Sequence, residues 1–165
     1  MGNAKSVNKT NAARLLDKAG VHYELVPYEY DETDLAAPNI ARTLGIEAGR
    51  LFKTIVLQGE RTGHFVCVLP GDAEIDLKLA AKAAGDKKAD LIPVKELLPL
   101  TGYIRGGCSP VGMKKSFPTF FHSSATHFDH IYVSSGLRGI MFKINPLDLI
   151  AYTGATLADI IKTEP

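Results

Sequence analysis

Three short stretches hold residues whose types and spacing suit chemistry. Lys53 lies in "LFKTIVL", among Leu51, Phe52, Ile55, Val56 and Leu57. An ammonium group in so apolar a run either snorkels from a solvent-facing strand position or meets an anion or a developing oxyanion from a half-buried one. Thr54 follows it and, on a regular strand, points to the opposite face. The stretch "TGYIRGGCSPVGMKK", residues 101–115, is rich in glycine and basic at its end. Gly106 and Gly107 admit φ > 0 and let backbone N–H groups converge on one point. Ser109 adds a hydroxyl, Pro110 stiffens the exit, and Lys114 and Lys115 add positive charge. The stretch "VSSGLRG", residues 133–139, repeats the theme as a second loop with Ser134, Gly136, Arg138 and Gly139.

Three readings compete for the first loop: a plain turn, an anion cradle, or the seat of a nucleophile. Cys108 is the rival to the cradle, since a thiol in a basic loop can have its pKa lowered and attack a carbonyl. Such a thiol needs a paired histidine. None of His22, His64, His122, His127 and His130 is fixed beside it by sequence. "HFDH", residues 127–130, lacks a third strong ligand and reads as a surface turn, so no metal and no other cofactor is expected.

The elements that must carry these stretches follow from periodicity. Asn11–Ala19 has the spacing of one helix face, with Gly20 as its stop. Residues 21–27 read as a strand and 38–44 as a short helix ended by Gly45. Residues 51–57 and 65–69 read as an antiparallel hairpin across a polar turn. Residues 76–84 form a capped helix before Gly85, and 93–98 begin another with proline in its first turn. Strands are expected at 119–121, 131–133 and 140–144, and a last short helix at 146–151. This pattern describes a single α/β or α+β domain with a mixed sheet and helices packed on it.

Composition limits the possibilities. The chain has 165 residues, is 45% hydrophobic and 22% charged, and carries a net charge of +1. That is an ordinary single-domain composition. It excludes binding to DNA through bulk positive charge and leaves room only for local nucleic-acid contacts. Two cysteines without a cysteine framework point to a reducing, cytoplasmic compartment. Cys67, in "HFVCVLP", reads as a buried filler. No apolar run approaches the roughly 20 residues of a membrane span. The opening "MGNAKS" fits an N-myristoylation pattern at Gly2 and Ser6 but reads as part of a disordered polar leader, residues 1–10, before a domain over residues 11–161.

In their order and spacing, "LFKTIVL", "TGYIRGGCSPVGMKK" and "YVSSGLRG" resemble the YbaK/EbsC family. That family includes free-standing relatives of the editing domain inserted in bacterial prolyl-tRNA synthetases. The resemblance runs from about Asn11 to Ile161 and favours the Cys-tRNA(Pro) deacylase branch over the branch that edits alanyl-tRNA(Pro). It implies a strongly curved, mixed and largely antiparallel sheet surrounded by helices. It implies hydrolysis of a mischarged aminoacyl ester, Cys-tRNA(Pro) and also Cys-tRNA(Cys), by substrate-assisted cleavage. The partners it implies are the 3′ end of an aminoacyl-tRNA and prolyl-tRNA synthetase.

Carried over residue by residue, the resemblance makes Lys53, Gly106 and Gly107 catalytic. Tyr28, Thr54, Tyr103, Ser109, Pro110, Ser134, Gly136 and Arg138 become substrate-binding. One departure stands out: "ETDLAAPN" supplies only Leu35 and Ala36 where relatives often place an aromatic residue. The alternatives are a non-catalytic module that holds a tRNA end or a nucleotide, and a deacylase with another preference such as Ala-tRNA(Pro).

Overall fold

The computed structural model describes residues 9–163. The Gly2/Ser6 pattern and residues 1–8 of the expected leader lie outside them. Thr10 already belongs to the fold: its hydroxyl oxygen accepts from Ala13 N–H at 3.1 Å, and the hydroxyl donates to Ser135 O at 2.8 Å. It thereby caps helix α1 (Asn11–Ala19) and ties it to a distant strand.

Strands β1 (Tyr23–Pro27), β7 (Ile140–Ile144) and β6 (Ile131–Leu137) form an antiparallel sheet in that order. A second sheet runs β4 (Ala89–Leu91), β2 (Phe52–Gly59), β3 (Gly63–Pro70), β5 (Thr119–His122) and β8 (Thr156–Ala158). Here β2 pairs antiparallel with both β3 and β4, whereas β3–β5 and β5–β8 are parallel. The strand pairing is thus mixed and mainly antiparallel, as expected, but it is divided between two sheets. The two halves join through a parallel bridge between Leu51 and Tyr132.

Strand β3 explains why "HFVCVLP" is apolar throughout. Val66 and Val68 pack into one core with Leu16, Phe121 and Phe142, while Phe65, Cys67 and Leu69 pack into another with Ala80 and Ile160. A strand buried on both faces has no solvent side to make polar. Cys67 is fully buried, and burial pushes its thiol up to about 12, in keeping with an inert filler.

Helix α2 (Ala37–Leu44) starts one residue earlier than expected, with Pro38 in its first turn. Helix α3 (Leu77–Ala83) is capped by Asp76, whose carboxylate accepts from Leu79 N–H at 3.0 Å. Helix α4 (Val94–Thr101) continues through Pro99, past the expected end, and stops at Gly102. Helix α5 (Pro146–Thr153) is capped by Asn145.

The larger difference concerns "VSSGLRG". It is not a free loop: β6 runs on to Leu137, with an irregularity between Ser134 and Leu137, and Gly136 bends the strand at φ +106°. A glycine in the left-handed region is what such a bulge needs. Among the described residues no helix is long and apolar enough to cross a membrane.

Candidate functional site

Past the isolated Leu51–Tyr132 bridge the pairing of β2 with β6 stops, and residues of both strands line a cavity of ≈ 360 Å³. Lys53 and Thr54 of β2 line one wall and Ser134 of β6 another. Leu35, Ala36 and the start of α2 form a third, and Arg105, Gly106 and Cys108 of the glycine loop close the remaining side. Because β2 crosses the cavity as an edge, Phe52 to Ile55 all line it, and strand alternation does not separate Lys53 from Thr54.

The Lys53 ammonium approaches Gly71 O at 3.5 Å, the outer limit of a hydrogen bond. Among the described residues no carboxylate lies within ion-pair distance of it. Burial lowers its pKa from the ordinary 10.5, and the Asp72 and Glu74 charges work against that. This is a half-buried cation kept from full neutralisation. Beside it, Thr54 Oγ1 is buried with no hydrogen-bond partner among the described residues. An orphaned hydroxyl costs stability unless something else occupies it. Ser134 is buried, and its hydroxyl oxygen accepts from Gly136 N–H at 3.1 Å.

The glycine loop is held from behind. The Tyr103 hydroxyl donates to Val111 O, and the Ser109 hydroxyl oxygen, fully buried, accepts from Val111 N–H at 3.2 Å. Gly136 lies against the Tyr103 ring, where an added Cβ would come within 2.8 Å of Cε1. Arg138 Nε donates to Arg105 O at 2.8 Å, fastening the end of β6 to the loop. Gly106 sits at φ +85°, and a Cβ there would meet Leu35 Cδ1 at 3.0 Å and Arg138 Nε at 3.2 Å.

Four of the expected catalytic and substrate-binding residues therefore meet at the cavity: Lys53, Thr54, Gly106 and Ser134. Tyr103, Ser109, Gly136 and Arg138 stand behind it as supports, and Pro110 lines a separate cavity with Met113 and Phe117. Tyr28 is not brought to the lining. It packs on the Ile40–Leu51–Met141 cluster that backs the cavity, with its ring 6.2 Å from that of Tyr30.

Gly107 also needs correction. Its N–H donates to Ile104 O at 2.9 Å, so it is not available to an oxyanion. Among the described residues no backbone hydrogen bond engages Gly106 N–H. Cys108 does face the cavity, but burial pushes its thiol up to about 12, the opposite of what a nucleophile requires. No cluster of three or more metal-ligating side chains occurs among the described residues, and His127 ends a short 3-10 turn, Ser123–His127.

Sequence reasoning missed Arg105, Gly71 and Met141. Gly71 carried a usable signal in "LPGDAE": a Cβ there would fall 2.7 Å from Ala37 and 3.0 Å from Leu51 O, so only glycine lets β3 pass α2. Met141 had none, as one apolar residue in an apolar strand.

Comparison with known proteins bears on this arrangement. Residues 35–152 match the aminoacyl-tRNA editing domain family. The chain is 43% identical to EbsC of Enterococcus faecalis, named as a proposed Cys-tRNA(Pro)/Cys-tRNA(Cys) deacylase, over 99% of this chain and 100% of that one. It is 26% identical to YwhH of Bacillus subtilis, an uncharacterized protein, over 76% of this chain and 79% of that one. A solved structure described as a proposed trans-editing enzyme for prolyl-tRNA synthetase superimposes with a TM-score of 0.81 at 25% identity, covering 94% of this chain and 100% of that one. The match spans the walls of the cavity from Leu35 through Lys53 and Gly106 to Met141, and this chain belongs to the aminoacyl-tRNA editing domain family.

Proposed function

We propose that this protein hydrolyses cysteinyl-tRNA, Cys-tRNA(Pro) first and Cys-tRNA(Cys) also, acting in trans to prolyl-tRNA synthetase in the cytoplasm. The observation that carries the reading is the half-buried Lys53 cation in a small cavity walled by Gly106, Thr54 and Ser134. Full-length identity of 43% to a protein named for this activity supports the choice of substrate. Cysteine and proline differ too little in size for one synthetase pocket to separate them well, so a second site removes the error.

The chemistry asks little of the protein. An aminoacyl ester is already activated. Lys53 holds a phosphate or ribose oxygen of the terminal adenosine and adds positive potential. Gly106 N–H stabilises the carbonyl oxygen as it becomes an oxyanion. The substrate's own Sγ, as thiolate, attacks the ester carbon. A C–S bond forms, the C–O bond to the ribose breaks, and the ribose oxygen takes up a proton. Water then opens the resulting thiolactone and leaves free cysteine and free tRNA. The thiol stands next to the carbon it attacks, and that proximity supplies much of the barrier reduction. With a net charge of +1 the domain neutralises few phosphates, so selection of tRNA(Pro) rests with the synthetase.

A deacylation panel tests this reading. Cysteinyl-tRNA is expected to be cleared fastest, seryl-tRNA much more slowly, and prolyl-tRNA spared. Synthetase should restrict the action to tRNA(Pro). Equal rates on cysteinyl- and seryl-tRNA would remove the thiol from the mechanism. Preference for alanyl-tRNA would place the chain in the other branch.

A further inference from the structure

The cavity is a gap in a β-ladder. In an antiparallel pair, directly opposed residues either exchange both backbone hydrogen bonds or neither. Gly71 N–H donates to Leu51 O at 2.6 Å, so residues 51, 53 and 55 of β2 turn their backbone groups toward β3. Pro70, which has no N–H to give, stands opposite Phe52 at a non-bonded pair, as this alternation requires. On the other edge Val56 O accepts from Ile92 N–H at 3.4 Å, which places the even-numbered residues there. Phe52 O and Thr54 N–H therefore face away from β3, toward the cavity that both residues line.

On that edge β6 begins as a parallel neighbour, bridging Leu51 to Tyr132. The next rung would pair Lys53 with Ser134. It does not form: the Leu51–Tyr132 bridge stays isolated, β6 loses its regular register with β7 after Ser134, and among the described residues β2 gains no further partner strand on this edge until Leu57 meets Leu91. Both Lys53 and Ser134 line the cavity left between them.

We infer that the aminoacyl group of the substrate fills this empty rung. Its α-amino group donates to Phe52 O, its ester carbonyl accepts from Thr54 N–H, and it lies opposite Lys53 as a one-residue parallel strand. The inference rests on the deacylase reading and adds recognition of the amino acid by main chain. An aminoacyl ester has the N–Cα–C=O spacing of a peptide residue, and a residue in a parallel ladder bonds the residues on either side of its partner. The Lys53 side chain leaves the strand perpendicular to this edge, so the ammonium and the α-amino group do not compete for one place. Thr54 N–H also supplies the second oxyanion donor that Gly107 does not. Proline fits the rung poorly, since its ring locks the N–Cα torsion and sets Cδ against the strand edge.

The test exchanges one backbone amide for an ester by introducing the α-hydroxy analogue of threonine at position 54. The same exchange at Val56 is the control. It deletes an N–H on the same edge outside the cavity lining and weakens an equivalent carbonyl bond to β3. On cysteinyl-tRNA the position-54 ester is expected to lower kcat/KM at least about tenfold, and the position-56 ester to change it less than about twofold, with melting temperatures alike. A second arm uses 3-mercaptopropionyl-tRNA, which keeps thiol and ester but lacks the α-amino group. Divided by its spontaneous hydrolysis, its enzymatic rate should fall at least about tenfold. Equal kcat/KM for the two backbone esters, or full acceleration of the mercaptopropionyl ester, overturns the rung. If the unaltered protein leaves cysteinyl-tRNA intact, the deacylase reading falls by itself. Binding of 3′-cysteinylamido-adenosine then decides the rung, with weaker binding to the position-54 ester supporting it and equal binding overturning it.

Discussion

At the Gly59 end of β2, the turn into β3 is closed by one carboxylate. Asp86 accepts from Arg61 N–H at 2.9 Å, Thr62 N–H at 2.8 Å, the Thr62 hydroxyl at 2.9 Å and Lys87 N–H at 2.7 Å. These donors hold its carboxyl well below the usual carboxylate range. At the Phe52 end the same strand has an edge without a partner strand, an orphaned Thr54 hydroxyl and a cation with no ion pair among the described residues. One end spends its polar groups on the fold, and the other keeps them for a visitor. Their stabilities and their sensitivities to substitution should differ accordingly.

The largest effect should come from the open end. Lys53→Met is expected to lower deacylation by about 10² or more, on the scale of losing an essential electrostatic stabiliser, without unfolding the protein. Since burial lowers the folded-state pKa of Lys53, the unfolded chain binds more protons between that pKa and 10.5. Stability therefore rises with pH through that window, and the cation is a burden on the fold below it. Lys53→Met should accordingly melt no lower than the parent at neutral pH, a result read by calorimetry. Near-normal turnover would break the contrast between the two ends.

Next comes Gly106→Ala. It forces a side chain to φ +85° and into Leu35 Cδ1 at 3.0 Å. Turnover should drop by about tenfold or more, with a stability cost of about 1 kcal/mol from the positive φ. Gly107 has no positive φ, and its N–H is already committed, so Gly107→Ala should cost less activity than Gly106→Ala. Steady-state kinetics on the pair would show whether the donor or merely the loop shape matters; equal losses would favour shape.

How far this could be read in advance depends on the range of the physics involved. Lys53, Gly106 and Ser134 were legible because each breaks a local pattern: a charge in an apolar strand, paired glycines before a proline, a serine in a polar, glycine- and arginine-bearing stretch after an apolar run. The hairpin of β2 and β3 was legible from two β-rich runs joined by a polar turn. Gly107 was misread because capture of its N–H by Ile104 O depends on the turn's conformation, which residue type does not fix. Tyr28 was misplaced because the direction of its ring is set by Ile40 and Met141, far apart in sequence. Strands β4 and β8 have three residues each, too few for a period to register. The cavity itself was invisible, since it exists only where β2 and β6 part.

The closed end yields a smaller effect of a different kind. Asp86→Asn should lower the urea midpoint while sparing activity. The folded pKa of Asp86 is depressed, so its contribution is complete above 3.8 and is lost as the pH falls through the folded value. The gap between parent and variant should therefore be widest near neutrality and close in acid. Urea titrations at several pH values would reveal a constant gap if the clamp acted through shape instead of charge. Loss of activity matching that of Lys53→Met would show that the two ends are not separate.

The smallest effect should be that of Cys108→Ala. The thiol lines the cavity, yet burial pushes it up to about 12, so at neutral pH almost none of it is thiolate. No histidine is found beside it among the cavity's lining residues. A covalent mechanism would need both a proton acceptor and a stabilised thiolate; the cavity lining offers Cys108 neither, while the substrate brings a thiol of its own. Deacylation of cysteinyl-tRNA by Cys108→Ala should stay within about twofold of the parent, since removing one small side chain from a lining position changes packing but not the donors. Alkylation by iodoacetamide at neutral pH should be slow for the same reason. Should Cys108→Ala be inactive while Gly106→Ala keeps full turnover, the open end of β2 would be the seat of a protein nucleophile, and the assignment of the attacking sulfur to the substrate would have to be abandoned.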